Sequence, residues 1–445
     1  MSAPPVFRAL SSSSYSRGDH WLDAAPCPIC GHNGWCRITR DQQVVLCRRA
    51  HRPDATKRKL SDGVGWLHRL TPGSLPEFEL PSDDEPGVQI APPERCDLIY
   101  RALLTACPLS ARHIAALQAR GFTVDEITAA GYGSRGEEDP VPGMFRALGG
   151  RRPVDDVPGF YQGRDRDYRL AGVPGLLIPV RDAEGHVIRL RVRADDPGSG
   201  GKYRWVSTPK ELPGVGAGQH VHVPLGARAA ATDAAPWVVT EGELKAERVV
   251  LAWKRPAIGI PGVGAWPLVV PVLRAVGAAA VALAWDADAR TNPHVAAALR
   301  DAVAGLSGEG FAVSLVTWST TTGPDSKPTP KGVDDALAAG VPLTVLDGLA
   351  ALEALGTIID GAGAQPDPAA DAELALGRIV EAVREKRRTA DSVLDDRAAI
   401  DAVAALLDHA PERWPALRER FKAVKVAAKA LQDAAVILLA NRDRA

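Results

Sequence analysis

Three carboxylates stand where a metal ion would need them. Glu241 follows the apolar run Trp237-Val238-Val239, and Asp286 and Asp288 follow Ala280-Val281-Ala282-Leu283-Ala284-Trp285. Short apolar runs of this kind read as buried parallel strands. Each ends in acid, and the carboxyl edge of an open α/β sheet is where ligands bind. Acids gathered there repel one another unless a cation joins them, and an oxygen-only donor set suits Mg²⁺ or Mn²⁺. The chemistry indicated is metal-dependent phosphoryl transfer, with Glu241, Asp286 and Asp288 as catalytic residues and magnesium ligands. Asp334 and Asp335, in Lys331-Gly332-Val333-Asp334-Asp335, are candidates for a further magnesium ion or for supporting its ligands.

A second metal is indicated near the N-terminus, where four of the six cysteines fall between residues 27 and 47. Cys27-Pro28-Ile29-Cys30-Gly31 is a tight knuckle that aims two thiolates at one point. Cys36 and Cys47 can complete a tetrahedral zinc site, with His32 or His51 as substitutes for one cysteine. Basic residues follow at Arg48, Arg49, Arg52, Lys57 and Arg58, and residues 1 to 70 carry 11 Lys/Arg against 5 Asp/Glu. A charge run beside a zinc ribbon reads as a phosphate-contacting, nucleic-acid-binding surface.

Further along, after Val187, the run Ile188-Arg189-Leu190-Arg191-Val192-Arg193 alternates. As a strand it puts three arginines on one face, which repel one another unless an anion lies across them. Arg189 and Arg191 are therefore expected to track nucleic-acid phosphates, and Arg193 and Lys202 to hold phosphates at the catalytic site. Gly198-Ser199-Gly200-Gly201-Lys202-Tyr203 is not a P-loop, because Asp196 and Tyr203 occupy positions that need Gly and Ser/Thr.

These residues need a scaffold, and 445 residues suffice for two to four domains. The expected fold class is α/β. It comprises a zinc ribbon over 19–70, a flexible Pro/acidic linker over 71–93 and a mixed α+β core subdomain over 94–230. A doubly wound parallel sheet over 231–348 and a helical C-terminal region over 365–445 complete it. The linker holds six prolines with Asp83, Asp84 and Glu85. In the final region Ala434-Ala435-Val436-Ile437-Leu438-Leu439 is apolar enough to seek a partner surface. No apolar run long enough to span a membrane and no secretory h-region is present, so the expected location is cytoplasmic, with reduced thiols. A net charge of −1 excludes no partner, since a balanced total hides local patches.

The order of parts resembles bacterial-type DNA primases: zinc ribbon, basic strand region, TOPRIM module, helical tail. Thr240-Glu241-Gly242, Asp286-Ala287-Asp288 and Gly332-Val333-Asp334-Asp335 match the TOPRIM pattern, and Arg193 with Lys202-Tyr203 looks like that family's RNA-polymerase core. The similarity is greatest to divergent primases of phages, plasmids and integrated mobile elements, in which Glu-Gly-Glu-Leu-Lys-Ala, Trp-Asp-Ala-Asp-Ala and Lys-Gly-Val-Asp-Asp recur in that order. It covers roughly residues 20 to 340. The resemblance implies synthesis of short RNA primers on single-stranded DNA from nucleoside triphosphates. It also implies a structural zinc ion, a zinc module that scans the template, and a replicative helicase or other replication protein as partner through the C-terminal helices. In one departure, Lys245 stands where replicative primases carry an acid, four residues after the TOPRIM glutamate. That removes one metal ligand and adds a cation. Two rival readings remain open: a metal-dependent TOPRIM nuclease, and a non-catalytic zinc/TOPRIM protein that binds single-stranded DNA, which Lys245 favours.

Overall fold

The computed structural model describes residues 21–24, 27–29, 36–39, 43–47, 56–60, 63–70, 89–232, 235–323, 328–363 and 367–442. Two compact units divide the chain, Met1–Gln89 with Lys210–Leu212, and Ile90–Pro209 with Pro213–Ala445. Most of the expected linker, 71–88, lies outside the described residues.

The first unit is an antiparallel sheet of β1 (Trp21–Asp23), β2 (Arg37–Thr39), β3 (Val44–Cys47), β4 (Thr56–Leu60) and β5 (Gly63–Arg69), in the order β1-β2-β3-β5-β4. Every residue of β3 is buried. That suits its central position and carries Cys47 into the small core with Cys27, Cys36 and Ile38.

The second unit opens with three helices, α1 (Pro93–Thr105), α2 (Ala111–Gln118) and α3 (Val124–Ala130). Proline starts α1, where its missing N–H leaves nothing unsatisfied. A Thr123–Glu126 capping box starts α3, and Gly131 ends it at φ 69°. After β6 (Gly133–Arg135), α4 (Val141–Ala147) and the hairpin β7 (Phe160–Gln162) with β8 (Tyr168–Leu170) come β9 (Gly175–Arg181), β10 (Val187–Ala194) and β11 (Tyr203–Trp205). Strands β11-β10-β9-β6 form an antiparallel sheet.

A short helix α5 (Ala227–Ala230) leads into the second sheet. Its strands are β12 (Trp237–Glu241), β13 (Ala257–Ile260), β14 (Ala280–Ala284) and β15 (Ala312–Trp318). The helices between them are α6 (Glu243–Arg248), which runs on as a π turn over Val249–Trp253, then α7 (Val269–Ala275) and α8 (Pro293–Gly308). Beyond the hairpin β16 (Thr321–Thr322) and β17 (Pro328–Thr329) lie α9 (Val333–Ala338) and β18 (Leu343–Leu346). The order is β13-β12-β14-β15-β18, with four strands parallel and β18 antiparallel at the edge. The sheet is thus doubly wound as expected, except for that edge strand. Its apolar runs are buried on both faces, which is why they read as continuous rather than alternating.

Helices α10 (Gly348–Ala362), α11 (Pro368–Arg384), α12 (Asp391–Leu394), α13 (Arg397–His409), α14 (Trp414–Ala423) and α15 (Ala428–Arg442) complete the chain. Leu376, Val403, Leu406, Phe421 and Leu431 form the core of α11 to α15, whereas Leu355 of α10 joins the core of the second sheet. The apolar stretch of α15 buries Ala435 but leaves Val436 and Ile437 exposed. Among the described residues no helix is long and apolar enough to cross a membrane.

Candidate active site

The acids meet because of strand order. β12 lies between β13 and β14, so the chain leaves β12 to one side and returns past it to the other. That reversal opens a crevice at the carboxyl ends of β12 and β14. Glu241 is the last residue of β12, and Thr240 pairs with Ala284 of β14, which brings Glu241 beside Trp285-Asp286. Gly242, at φ 91°, turns the chain directly from strand into α6. A 3₁₀ turn over Ala287–Arg290 places Asp288 just beyond Asp286.

The Lys331–Asp335 segment closes the crevice. The Ala287 N–H donates to the Lys331 carbonyl at 2.9 Å. A Cβ on Gly332 would lie 2.5 Å from Asp334 Oδ1, 2.9 Å from Lys245 Cε and 3.4 Å from Asp286 Oδ1. Asp334, Lys245 and Asp286 therefore converge on the space that a side chain at position 332 would take. The two aspartates of this motif differ. Asp334 is buried and faces the cluster, whereas Asp335 is exposed and accepts the Gly332 N–H at 3.2 Å, at the start of α9.

Cations already sit among the acids. The Lys245 ammonium donates to Asp286 Oδ1. Lys331 Nζ lies 2.8 Å from Asp288 and 3.7 Å from Asp286. Arg120 Nη1 donates to Asp334 Oδ2 at 2.6 Å, while Asp334 Oδ1 is buried with no hydrogen-bond partner. Burial raises the Glu241 carboxyl above the ordinary range, with Asp286 and Asp288 pushing the same way against Lys245 and Lys331. Burial and the charge of Asp335 likewise raise Asp334. Burial opposes the Lys245 charge, yet Asp286, Glu241 and Asp334 together hold its ammonium above its usual range.

A cationic group adjoins the acids. Partial desolvation and the guanidiniums of Arg193 and Arg120 push the Lys202 ammonium down, so both arginines repel Lys202. Arg193 Nε is buried without a partner. An anion laid across them relieves both conditions.

The open arginine track expected on β10 is corrected. Arg189 and Arg191 are only 5% and 7% exposed. Arg189 donates to the carbonyls of Ala217 and Ile188 at 2.7 and 2.5 Å. Arg191 pairs with Glu243 at 2.9 Å, and its guanidinium lies over the rings of Tyr203 and Trp205. The alternation is as expected, but α6 and the aromatics of β11 supply from within the molecule the partners that a phosphate backbone was expected to provide.

In the first unit the Sγ atoms of Cys27, Cys36 and Cys47 all lie within 4.8 Å of one another, with Cys36 and Cys47 3.7 Å apart. A disulfide would need about 2.05 Å, whereas sulfurs about 2.3 Å from a tetrahedral zinc ion stand about 3.8 Å apart. The cluster fits zinc. Cys30, Arg48, Arg49 and Arg52, with His32 and His51, lie outside the described residues. Lys57 and Arg58 are on β4.

No protein-family model matches this chain, and no curated protein matches it. Solved structures do. The chain is similar to the zinc-binding and RNA polymerase domains of the Aquifex aeolicus primase, at 15% identity over 77% of this chain and 75% of that one, with a TM-score of 0.46. A DNA primase domain from Pseudomonas aeruginosa matches at 17% identity over 76% and 99%, TM-score 0.44. The E. coli primase catalytic core matches at 14% over 77% and 97%, TM-score 0.46.

Of the residues singled out in the sequence, Glu241, Asp286, Asp288 and Asp334 come together, and Arg193 and Lys202 form a second group. Three participants carried no readable role. Arg120 sits beyond the end of α2 with nothing local to mark it. Glu243 is only a neighbour of Glu241 until Arg191 is seen against it. Lys331 belongs to a recognisable motif, yet its ion pairs with Asp286 and Asp288 depend on the fold.

Proposed function

We propose that this protein is a DNA primase, a nucleotidyltransferase that makes short RNA primers on single-stranded DNA. The observation that carries the reading is the meeting of Glu241, Asp286 and Asp288 at the crevice between β12 and β14, with Arg193, Lys202 and Arg120 grouped beside them. An acidic cluster bordered by phosphate-seeking cations is what nucleotide joining requires.

The acids fit Mg²⁺ or Mn²⁺: the donors are all oxygens, Asp334 Oδ1 is an orphaned buried oxygen, and lysine ammoniums already neutralise the cluster. Bound by Glu241, Asp286 and Asp288, such an ion supplies neutralisation of triphosphate charge and a more acidic 3′-hydroxyl. Arg193 and Lys202 bind triphosphate or template phosphates. Arg120 orients Asp334 through their 2.6 Å bond. Lys245 holds Asp286 in one position. In the first unit, a zinc ion held by Cys27, Cys30, Cys36 and Cys47 shapes a surface on which Arg48, Arg49, Arg52, Lys57 and Arg58 contact template DNA. A replication protein such as a helicase docks on the C-terminal helices, where Val436 and Ile437 are exposed. The setting is replication of a phage, plasmid or mobile element in the cytoplasm.

The Lys245–Asp286 bond favours one other reading, a zinc/TOPRIM protein that binds single-stranded DNA without chemistry. Incubation of the purified chain with single-stranded DNA, labelled ribonucleotides and Mg²⁺ or Mn²⁺ separates them. Products longer than one nucleotide, absent with Asp286→Ala, are expected. DNA shortening without nucleotides would establish a nuclease instead, and binding with neither product would establish the non-catalytic protein.

A further inference from the structure

The two lysines in the acidic cluster are held very differently. Lys245 projects from α6, and that helix is anchored along its length by polar side-chain pairs. Glu243 pairs with Arg191 at 2.9 Å, Glu247 with His222 at 3.1 Å and Arg181 at 3.7 Å, and Arg248 with Glu126 at 3.1 Å. The Lys245 side chain is 18% exposed and packs its Cε where Gly332 leaves room. Lys331 comes from the loop before α9, and its side chain is 50% exposed. One lysine is part of the framework, and the other can leave.

Charge points the same way. Glu241, Asp286, Asp288 and Asp334 face Lys245, Lys331 and Arg120. With Lys331 withdrawn, four carboxylates face two fixed cations, and one divalent ion restores neutrality. A second divalent ion would overcharge a buried site and would lie against the Lys245 ammonium. Asp334 Oδ1, buried and unpartnered, is the oxygen that looks toward Lys245 and Asp286 across Gly332.

We infer that Lys245 is a permanent cation in the place of a second metal, so that the site takes one divalent ion in exchange for the Lys331 ammonium. This rests on the reading of Glu241, Asp286 and Asp288 as metal ligands. Lys245 is a positioning residue here: it fixes the number of ions and the place of Asp286.

The test counts Mn²⁺ bound to the full-length chain by electron paramagnetic resonance, in which bound zinc is silent. Wild type is expected to bind one ion and Asp286→Asn none. Lys331→Ala should bind one ion about tenfold more tightly, because no ammonium competes. Lys245→Glu should bind two. None or two on wild type, or one on folded Lys245→Glu, overturns the inference. If Lys245→Glu does not fold, Lys245→Gln serves: a second, weaker ion supports the inference and its absence overturns it. The count needs neither nucleotide nor DNA. One ion per chain without primer synthesis would sink the proposed function alone, whereas two ions on a primer-making wild type would sink this inference alone.

Discussion

Arg120 Nη1 and Asp334 Oδ2 lie 2.6 Å apart although 214 positions separate them in the chain. The bond ties the segment that follows α2 to the start of α9, and so joins the cationic group to the acidic one. The Asp334 side chain is 1% exposed. Taking away its hydrogen-bonded partner leaves a buried carboxylate with only the Lys245 ammonium to offset it, which typically costs about 2 kcal/mol. Arg120→Ala should therefore lower the unfolding free energy of the second unit by that amount, read as a fall in its urea midpoint. Asp334→Asn should lower it less, and the double variant should show a coupling of about 1–2 kcal/mol. A folded Arg120→Ala chain with an unchanged midpoint would contradict this.

The cysteine cluster predicts zinc content directly. The wild-type chain, purified without chelator, should carry zinc in stoichiometric amount by atomic emission. Cys36→Ser and Cys47→Ser should each lose most of it, since each removes one of the thiols held within 4.8 Å. Chelation should unfold the first unit and leave the melting of the second unchanged. Full zinc retention by either variant would show that those thiols are not ligands.

Burial separates the arginines of β10 into two classes with opposite signatures. If single-stranded DNA is bound through Arg193 and Lys202, alanine at either position should lower affinity and reduce the slope of log K against log salt by about 0.7. Alanine at Arg191 should leave that slope unchanged but destabilise the fold by about 3 kcal/mol, because Glu243 loses its buried partner. Fluorescence anisotropy over a salt series, with parallel urea melts, reads both. A slope change with Arg191→Ala would return that residue to the DNA-binding surface.

A histidine outside the site supplies a pH dependence. His220 stands edge-on to Trp205, and burial together with nearby Arg189 lowers its pKa to about 4. Unfolded, it titrates near about 6.5. Between these values the unfolded chain binds more protons, so stability is full above the upper value and is lost as pH falls toward the lower. Allowing for partial exposure, the loss is on the order of 2 kcal/mol. Urea midpoints of wild type should fall more steeply between pH 6.5 and 4.5 than those of His220→Gln. Parallel lines would show that His220 does not carry the effect.

The sequence by itself determined what depends on local pattern. Continuous apolar runs bounded by acid marked β12 and β14, because strands buried on both faces have no polar side to show. A glycine after a helical run, such as Gly131, marks a helix end because few residues take its left-handed backbone. The carboxylates were legible because they follow those strands directly. Tertiary structure decided what depends on partners far along the chain. Alternation in Val187–Ala194 put arginines on one face, but only the packing of Glu243, Tyr203 and Trp205 made Arg191 an internal ion pair instead of a surface charge. Asp334 and Asp335 are adjacent and chemically equal in the sequence. The bend at Gly332 and the reach of Arg120 send one into the cluster and leave the other at the start of a helix. Charge has no local period, so its neutralisation is known only once the chain has folded.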